Sequence, residues 1–126
     1  MQLNFDKENF RSRCSVSCAL EIIGDKWTLL ILRDSIYRGY TTFSQFRNST
    51  EKIASNILAN RLDKLVAKGI LTKTQNEQNL LVFDYELTKM GKELKLVIEA
   101  IENWSISNIK GVNKLKDIPK FDKQRN

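Results

Sequence analysis

The chain contains no histidine. That absence removes histidine-based nucleophilic triads, histidine general bases and histidine-ligated metals together. Cysteine is scarce too, with only Cys14 and Cys18. Two thiols make no disulfide framework, which points to a reducing compartment. There is one proline among 126 residues, so little interrupts helices. No apolar run reaches transmembrane length, and the opening MQLNFDKENF lacks a signal-peptide pattern. No glycine-rich phosphate loop or obvious carboxylate pair is present. The expectation is a soluble cytoplasmic protein that is not an enzyme, with no cofactor, no metal and no membrane partner.

What is present is a positive balance, +6 overall. Polyanions such as nucleic acid suit such a chain. Yet residues 110–126 hold six Lys/Arg against two Asp, so +4 of the +6 lies at the end. Charge alone leaves nucleic acid and a solvated tail both open.

Periodicity is more informative. Val16, Leu20, Ile23 and Trp27 recur at helical spacing and form a core stripe. They predict a first helix from about Arg13 to Ile23, closed near Gly24. KWTLLILRDSIY continues as a second, with Leu29, Leu30, Ile31 and Leu32 buried on most sides. TTFSQFRNS predicts a short third helix, in which Thr42 and Gln45 fit a capping box. A longer helix follows in IASNILANRLDKLVAKG, with Leu58, Leu62 and Leu65 inward and Gly69 as its stop. ILTKTQ and LLVFDYELT read as a hairpin joined by NEQN, with Leu81, Phe83, Tyr85 and Leu87 on one face. TKMGKELKLVIEAIENWSISNI reads as one long amphipathic helix. Residues 1–110 form one domain, and 111–126 a basic mobile tail.

A short helix turning into a longer amphipathic one is the helix-turn-helix arrangement, and the hairpin after it is a wing. The fold class is therefore mainly α (α+β), a winged helix-turn-helix. The outer face of the longer helix carries Ser55, Asn56, Asn60, Arg61 and Lys64, free to enter a major groove. Asparagine can pair bidentately with adenine, and arginine with guanine or phosphate. A solvated polar face is the plain alternative, and the element order favours the groove.

The ordered motifs CSVSCALEIIGDKWTLLILRD, FSQF, NRLDKLVAKGIL and YELTKMGKEL resemble those of HxlR-type winged-helix regulators. The similarity covers about Cys14 to Trp104. The family pattern is roughly Cys-Pro-Val, Ala-Leu, Ile-Gly-Gly-Lys-Trp-Thr and Leu-Ile-Leu-Arg. The resemblance implies a bacterial transcription regulator, a homodimer on an inverted-repeat double-stranded DNA operator. It makes 54–68 the recognition helix, the hairpin the wing, and the first and last helices the dimer contact. Some members sense oxidants or electrophiles through the cysteine that matches Cys14 and others respond by other means, so the resemblance makes Cys14 a redox-sensing candidate, with two inert thiols at an interface as the plain alternative. A winged-helix protein-interaction module without DNA binding is the alternative. Three departures stand out. Ser15 replaces the proline, Asp25 the second glycine, and Ala54 a serine cap, which leaves Ser55 to cap.

Arg47 and Lys52 flank the turn before the recognition helix and are expected phosphate contacts. Lys26 is either such a contact or simply solvated, and Lys73 is the wing's main cation. Trp27, Phe43 and Phe46 read as core rather than as stacking platforms for bases. Leu94, Val97, Ile98, Ile101 and Trp104 form the stripe of the last helix and the expected dimer interface. Cys14 and Cys18 fall opposite Val16 and Leu20 on the first helix, towards solvent or a partner. Cys14 lies at the helix start near Arg11 and Arg13, which favours its thiolate. A Cys14–Cys18 bridge within one helix would strain disulfide geometry.

Overall fold

The computed structural model describes residues 2–118. A short 3-10 turn at Phe5–Lys7 precedes α1 (Ser15–Ile23) and α2 (Thr28–Arg33). A π-helical turn, Asp34–Arg38, extends α2, and Gly39 ends it in the left-handed region at φ 74°. Then come α3 (Phe43–Arg47), α4 (Ser55–Ala67), β1 (Leu71–Gln75), β2 (Phe83–Leu87), α5 (Lys89–Glu93) and α6 (Lys95–Asn108).

Local chemistry sets several of these boundaries. At α3 the Thr42 hydroxyl accepts from Gln45 N, and the Gln45 side chain accepts from the Thr42 amide, which completes the expected capping box. At the far end of α4, Gly69 N donates to Val66 O and Ile70 N to Leu65 O. These two bonds form a Schellman motif, and Gly69 supplies its left-handed residue at φ 76°. The motif turns the chain straight into the wing.

Leu58, Leu62 and Leu65 of α4 are fully buried against Ile31, Leu32 and Phe46. Ile53, Ile70, Leu71, Tyr85 and Ile98 complete this core, with Trp27 and Phe43 packed on its edge. The two aromatic positions of α3 and Trp27 are therefore packing residues. β1 and β2 pair antiparallel, with Leu71 opposite Leu87 and Lys73 opposite Tyr85. On its other side β2 meets Thr41, whose carbonyl accepts from Tyr85 N at 2.7 Å. That bond fastens the wing to the start of α3.

Five details differ from the sequence expectation. Val16 and Leu20 are not core: they are 64% and 53% exposed. The first helix leans on the domain through Ile22, Ile23 and polar ties instead, and among the described residues no element buries Val16 or Leu20. Second, Leu81 is outside β2 and 92% exposed. Asn76 Oδ1 accepts from the amides of Gln78 and Asn79, and Asn79 Oδ1 from that of Leu81. These side-chain turns hold residues 77–81 out of the ladder, while Asn76 N still donates to Val82 O at 2.8 Å. Third, the long helix is broken into α5 and α6 at Leu94. Gly91 lies so close to the Ile70 carbonyl that a Cβ would sit 2.3 Å from its oxygen, and Leu94 turns in to pack on the core.

Fourth, no side chain caps α4. Ala54 holds the N-cap position, and Ser55 is already inside the helix. Fifth, the segment expected to be a mobile tail first folds back. Leu115 packs on the core, and its amide donates to Glu102 Oε2. Residues 119–126, the rest of that tail, lie outside the described residues.

Candidate nucleic-acid interface

The turn between α3 and α4 is fixed by a buried arginine. Arg33 donates to both oxygens of Glu51, at 2.8 and 2.7 Å. Its guanidinium also reaches Asp34 Oδ1 and the Ser49 hydroxyl. The Arg33 hydrogen bonds are the leading cause that holds Glu51 at about 2, against burial. Asp34 behaves differently: burial pushes its carboxyl up even beside Arg33 and Arg38. Arg38 adds a bond to the Thr50 hydroxyl at 2.7 Å. Within this clamped turn Lys52 sits at φ 57°, a left-handed conformation costly for a side chain with a Cβ. The clamp therefore sets where α4 begins.

α4 presents two polar stripes with different fates. Ser55, Asn56 and Asn60 are exposed, together with Ala59 and Asp63. Ser55 and Asn56 make no side-chain hydrogen bond among the described residues. The second stripe, Arg61, Lys64 and Lys68, faces the N-terminal part of the chain. Arg61 Nε donates to Asp25 Oδ1 at 3.0 Å, and Arg61 Nη1 to Asn60 Oδ1 at 2.6 Å. Lys64 Nζ donates to the Glu21 carbonyl at 2.9 Å. Lys68 pairs with Glu8. Two cations of α4 and its C-cap Lys68 are thus tied to one segment, residues 8–25.

This corrects the picture of a uniformly free outer face. Arg61 and Lys64 are half-buried and partnered, because Asp25 and the open carbonyl at the end of α1 lie within their reach. Asp25, Glu21, Glu8, Arg33 and Glu51 were not singled out as positioning residues from sequence. One signal was available: an acid shortly before Thr28 at a helix start fits a capping role, and Asp25 does accept from Trp27 N and Thr28 N.

The remaining cations are looser. Arg47 and Lys52 are exposed and form no salt bridge among the described residues. Lys26 is exposed, with its ammonium 5.0 Å from the Trp27 ring centroid. In the wing, Lys73 lies over the Phe83 ring at 4.4 Å, and Asp84 and Glu86 lie on the facing strand.

Cys14 is the N-cap of α1 and fully exposed; Cys18 is half-buried, and both thiols are free. Backbone amides, Ser17 first and then Val16, lower the Cys14 thiol below its ordinary value. The helix start alone produces this effect. Arg11 is paired with Glu21, and Arg13 with Asp6 at 3.5 Å while stacked over Phe5, so neither arginine serves the thiol as expected. The Cys18 thiol donates to the Ser12 carbonyl at 3.2 Å.

On the last helix, Ile98 is buried in the core and Leu94 packs on it. Val97 is half-buried. Ile101 and Trp104 stay 51% and 63% exposed. Among the described residues, no cluster of metal-ligating side chains forms, and no helix is long and apolar enough to cross a membrane.

The crystal structure of PA1607 superposes with a TM-score of 0.73, at 34% identity over 82% of this chain and 71% of that one. The redox regulator HypR in its reduced form superposes at 0.62, with 26% identity over 75% of this chain and 93% of its own. An uncharacterized HTH-type transcriptional regulator of Mycobacterium tuberculosis, Rv3095, is 33% identical over 90 residues, or 71% of this chain. This chain spans 56% of that relative's length. The HxlR-like helix-turn-helix family model matches residues 22–113, beginning beyond both cysteines. With a winged fold, a clamped turn and that match over most of its length, the chain belongs to the HxlR-like helix-turn-helix family.

Proposed function

We propose that the chain is a DNA-binding transcription regulator that acts in the cytoplasm as a homodimer on an inverted-repeat operator. The observation that carries this is the exposed pair Ser55 and Asn56, without a side-chain hydrogen bond among the described residues, at the start of a helix fixed by the Arg33–Glu51 clamp. Side chains at the first turns of such a helix reach base edges when it enters a major groove. Asn60 extends that face, and Arg47, Lys52 and Lys26 are its phosphate contacts. The wing, with its one cation over aromatic rings and acids opposite, is a weak contributor. Val16 and Leu20 of α1 with Ile101 and Trp104 of α6 are the apolar surface for a second copy, and Val97 lies at its edge.

Cys14 is the proposed point of response to oxidants or electrophiles. Its exposure, its lowered thiol and the similarity to the redox regulator HypR support that role. A modification there would shift α1 and, through Asp25 and Glu21, the cationic side of α4.

One observation favours a second reading, a protein-interaction module: Arg61 and Lys64 of α4 and its C-cap Lys68 are partnered within the chain. Selection of bound DNA from a random pool separates the two. A DNA reader recovers an inverted repeat and loses affinity steeply as salt rises. A pool without enrichment favours the protein module.

A further inference from the structure

A cleft between α2, α6 and residues 112–115 lies apart from the exposed face of α4 and borders the surface proposed for a second copy, with which it shares Ile101. Its volume is ≈ 210 Å³. An apolar cavity of about 150 Å³ admits benzene, so this one has room for a body of two fused rings. Leu29, Leu30, Ile101 and Ile106 supply apolar wall.

Two charged side chains line it, and they differ in what they offer. All three guanidinium nitrogens of Arg33 already donate, to Asp34, Glu51 and Ser49. The Arg33 charge is thus paired with two carboxylates outside the cleft, and its methylene stem adds to the cleft wall. Glu102 accepts the Leu115 amide on Oε2, and its Oε1 has no partner among the described residues. Ser105 and Asn113, also in the lining, are neutral. The uncompensated charge of the cleft is therefore one carboxylate beside an apolar wall.

We propose that this cleft binds a small organic cation, with one or two rings on the apolar wall and an ammonium on Glu102 Oε1. The stem of Arg33 is part of the site, and its guanidinium holds the turn before α4. An occupant thus bears on the helix proposed to read DNA through a single side chain. That consequence rests on the DNA-binding reading; the binding itself does not.

The test titrates the nitrogen-15-labelled full chain with tryptamine, with indole and indole-3-acetate as comparisons. Tryptamine should shift the amides around the cleft and bind roughly tenfold or more tighter than either comparison, the difference expected of one charge-assisted hydrogen bond. Glu102→Gln keeps an acceptor for the Leu115 amide and should bring tryptamine down to the affinity of indole. Ser105→Phe should fill the cleft and abolish the shifts. The proposal is overturned by absence of tryptamine binding to the folded parent, by equal affinity for tryptamine and indole-3-acetate, or by full affinity in Glu102→Gln. None of these readouts involves DNA, so failure here and failure of the operator selection are separate results.

Discussion

Asp25 and Arg61 meet at 3.0 Å across 36 residues of chain, and the same carboxylate oxygen takes the amides of Trp27 and Thr28. One side chain thus caps α2 and restrains α4. Burial would raise this carboxyl, but hydrogen bonds from Thr28, Trp27 and Arg61 outweigh it and hold it at about 2. A carboxyl held below its unfolded value stabilises the native state above that value, and the contribution is lost as pH falls through the folded one. Asp25→Asn should cost on the order of 1 kcal/mol at neutral pH, since solvent screens this part-exposed pair and asparagine keeps an acceptor for the two amides. It should also flatten the loss of stability between about pH 4 and pH 2. Urea denaturation of parent and variant across that window checks it, and parallel curves would remove Asp25 from this role.

Asn56→Ala should weaken operator binding by about 1–3 kcal/mol and relax selectivity at one base position. Arg61→Ala should act mainly on stability, because its guanidinium is engaged by Asp25. Anisotropy titrations against the selected operator and single-base variants separate the two. If Arg61→Ala proves the more damaging to selectivity, the bond to Asp25 opens on DNA.

Cys14 should alkylate faster than Cys18 at neutral pH, with a rate profile centred below that of an ordinary thiol. Arg11→Ala and Arg13→Ala should leave that profile nearly unchanged, since both side chains are paired elsewhere. Peptide mass spectrometry after a timed iodoacetamide pulse gives the rates. A large slowing in either variant would restore the arginines as activators.

Leu20→Glu should yield a monomer without loss of helical content. Leu20 is exposed in the protomer and belongs to the surface proposed for a second copy. Sedimentation at several concentrations decides this. A dimer of unchanged affinity places the interface elsewhere, with Trp104→Glu as the next variant.

Much of this was legible from residue order. The capping box of Thr42 and Gln45, the stop at Gly69 and the inward leucines of α4 are local patterns, written within four residues or one helical period. What sequence obscured were long-range choices. Val16 and Leu20 match a core stripe in periodicity, but periodicity does not say which chain covers the stripe. Arg61 and Lys64 read as free because the acceptors that bind them, Asp25 and the Glu21 carbonyl, are 36 and 43 residues away. Leu81 alternates correctly with Phe83, yet asparagine side chains in the adjoining loop compete for its backbone.

The ties on α4 also bear on how the chain folds. They span 36, 43 and 60 residues, and such separations raise contact order, which slows folding of an isolated chain. All three partners, Glu8, Glu21 and Asp25, precede α4 in sequence. Chains grow from the amino end at about 5–20 residues per second. During synthesis every anchor has therefore left the ribosome before the helix that needs it, and α4 docks onto partners already in place rather than searching for them.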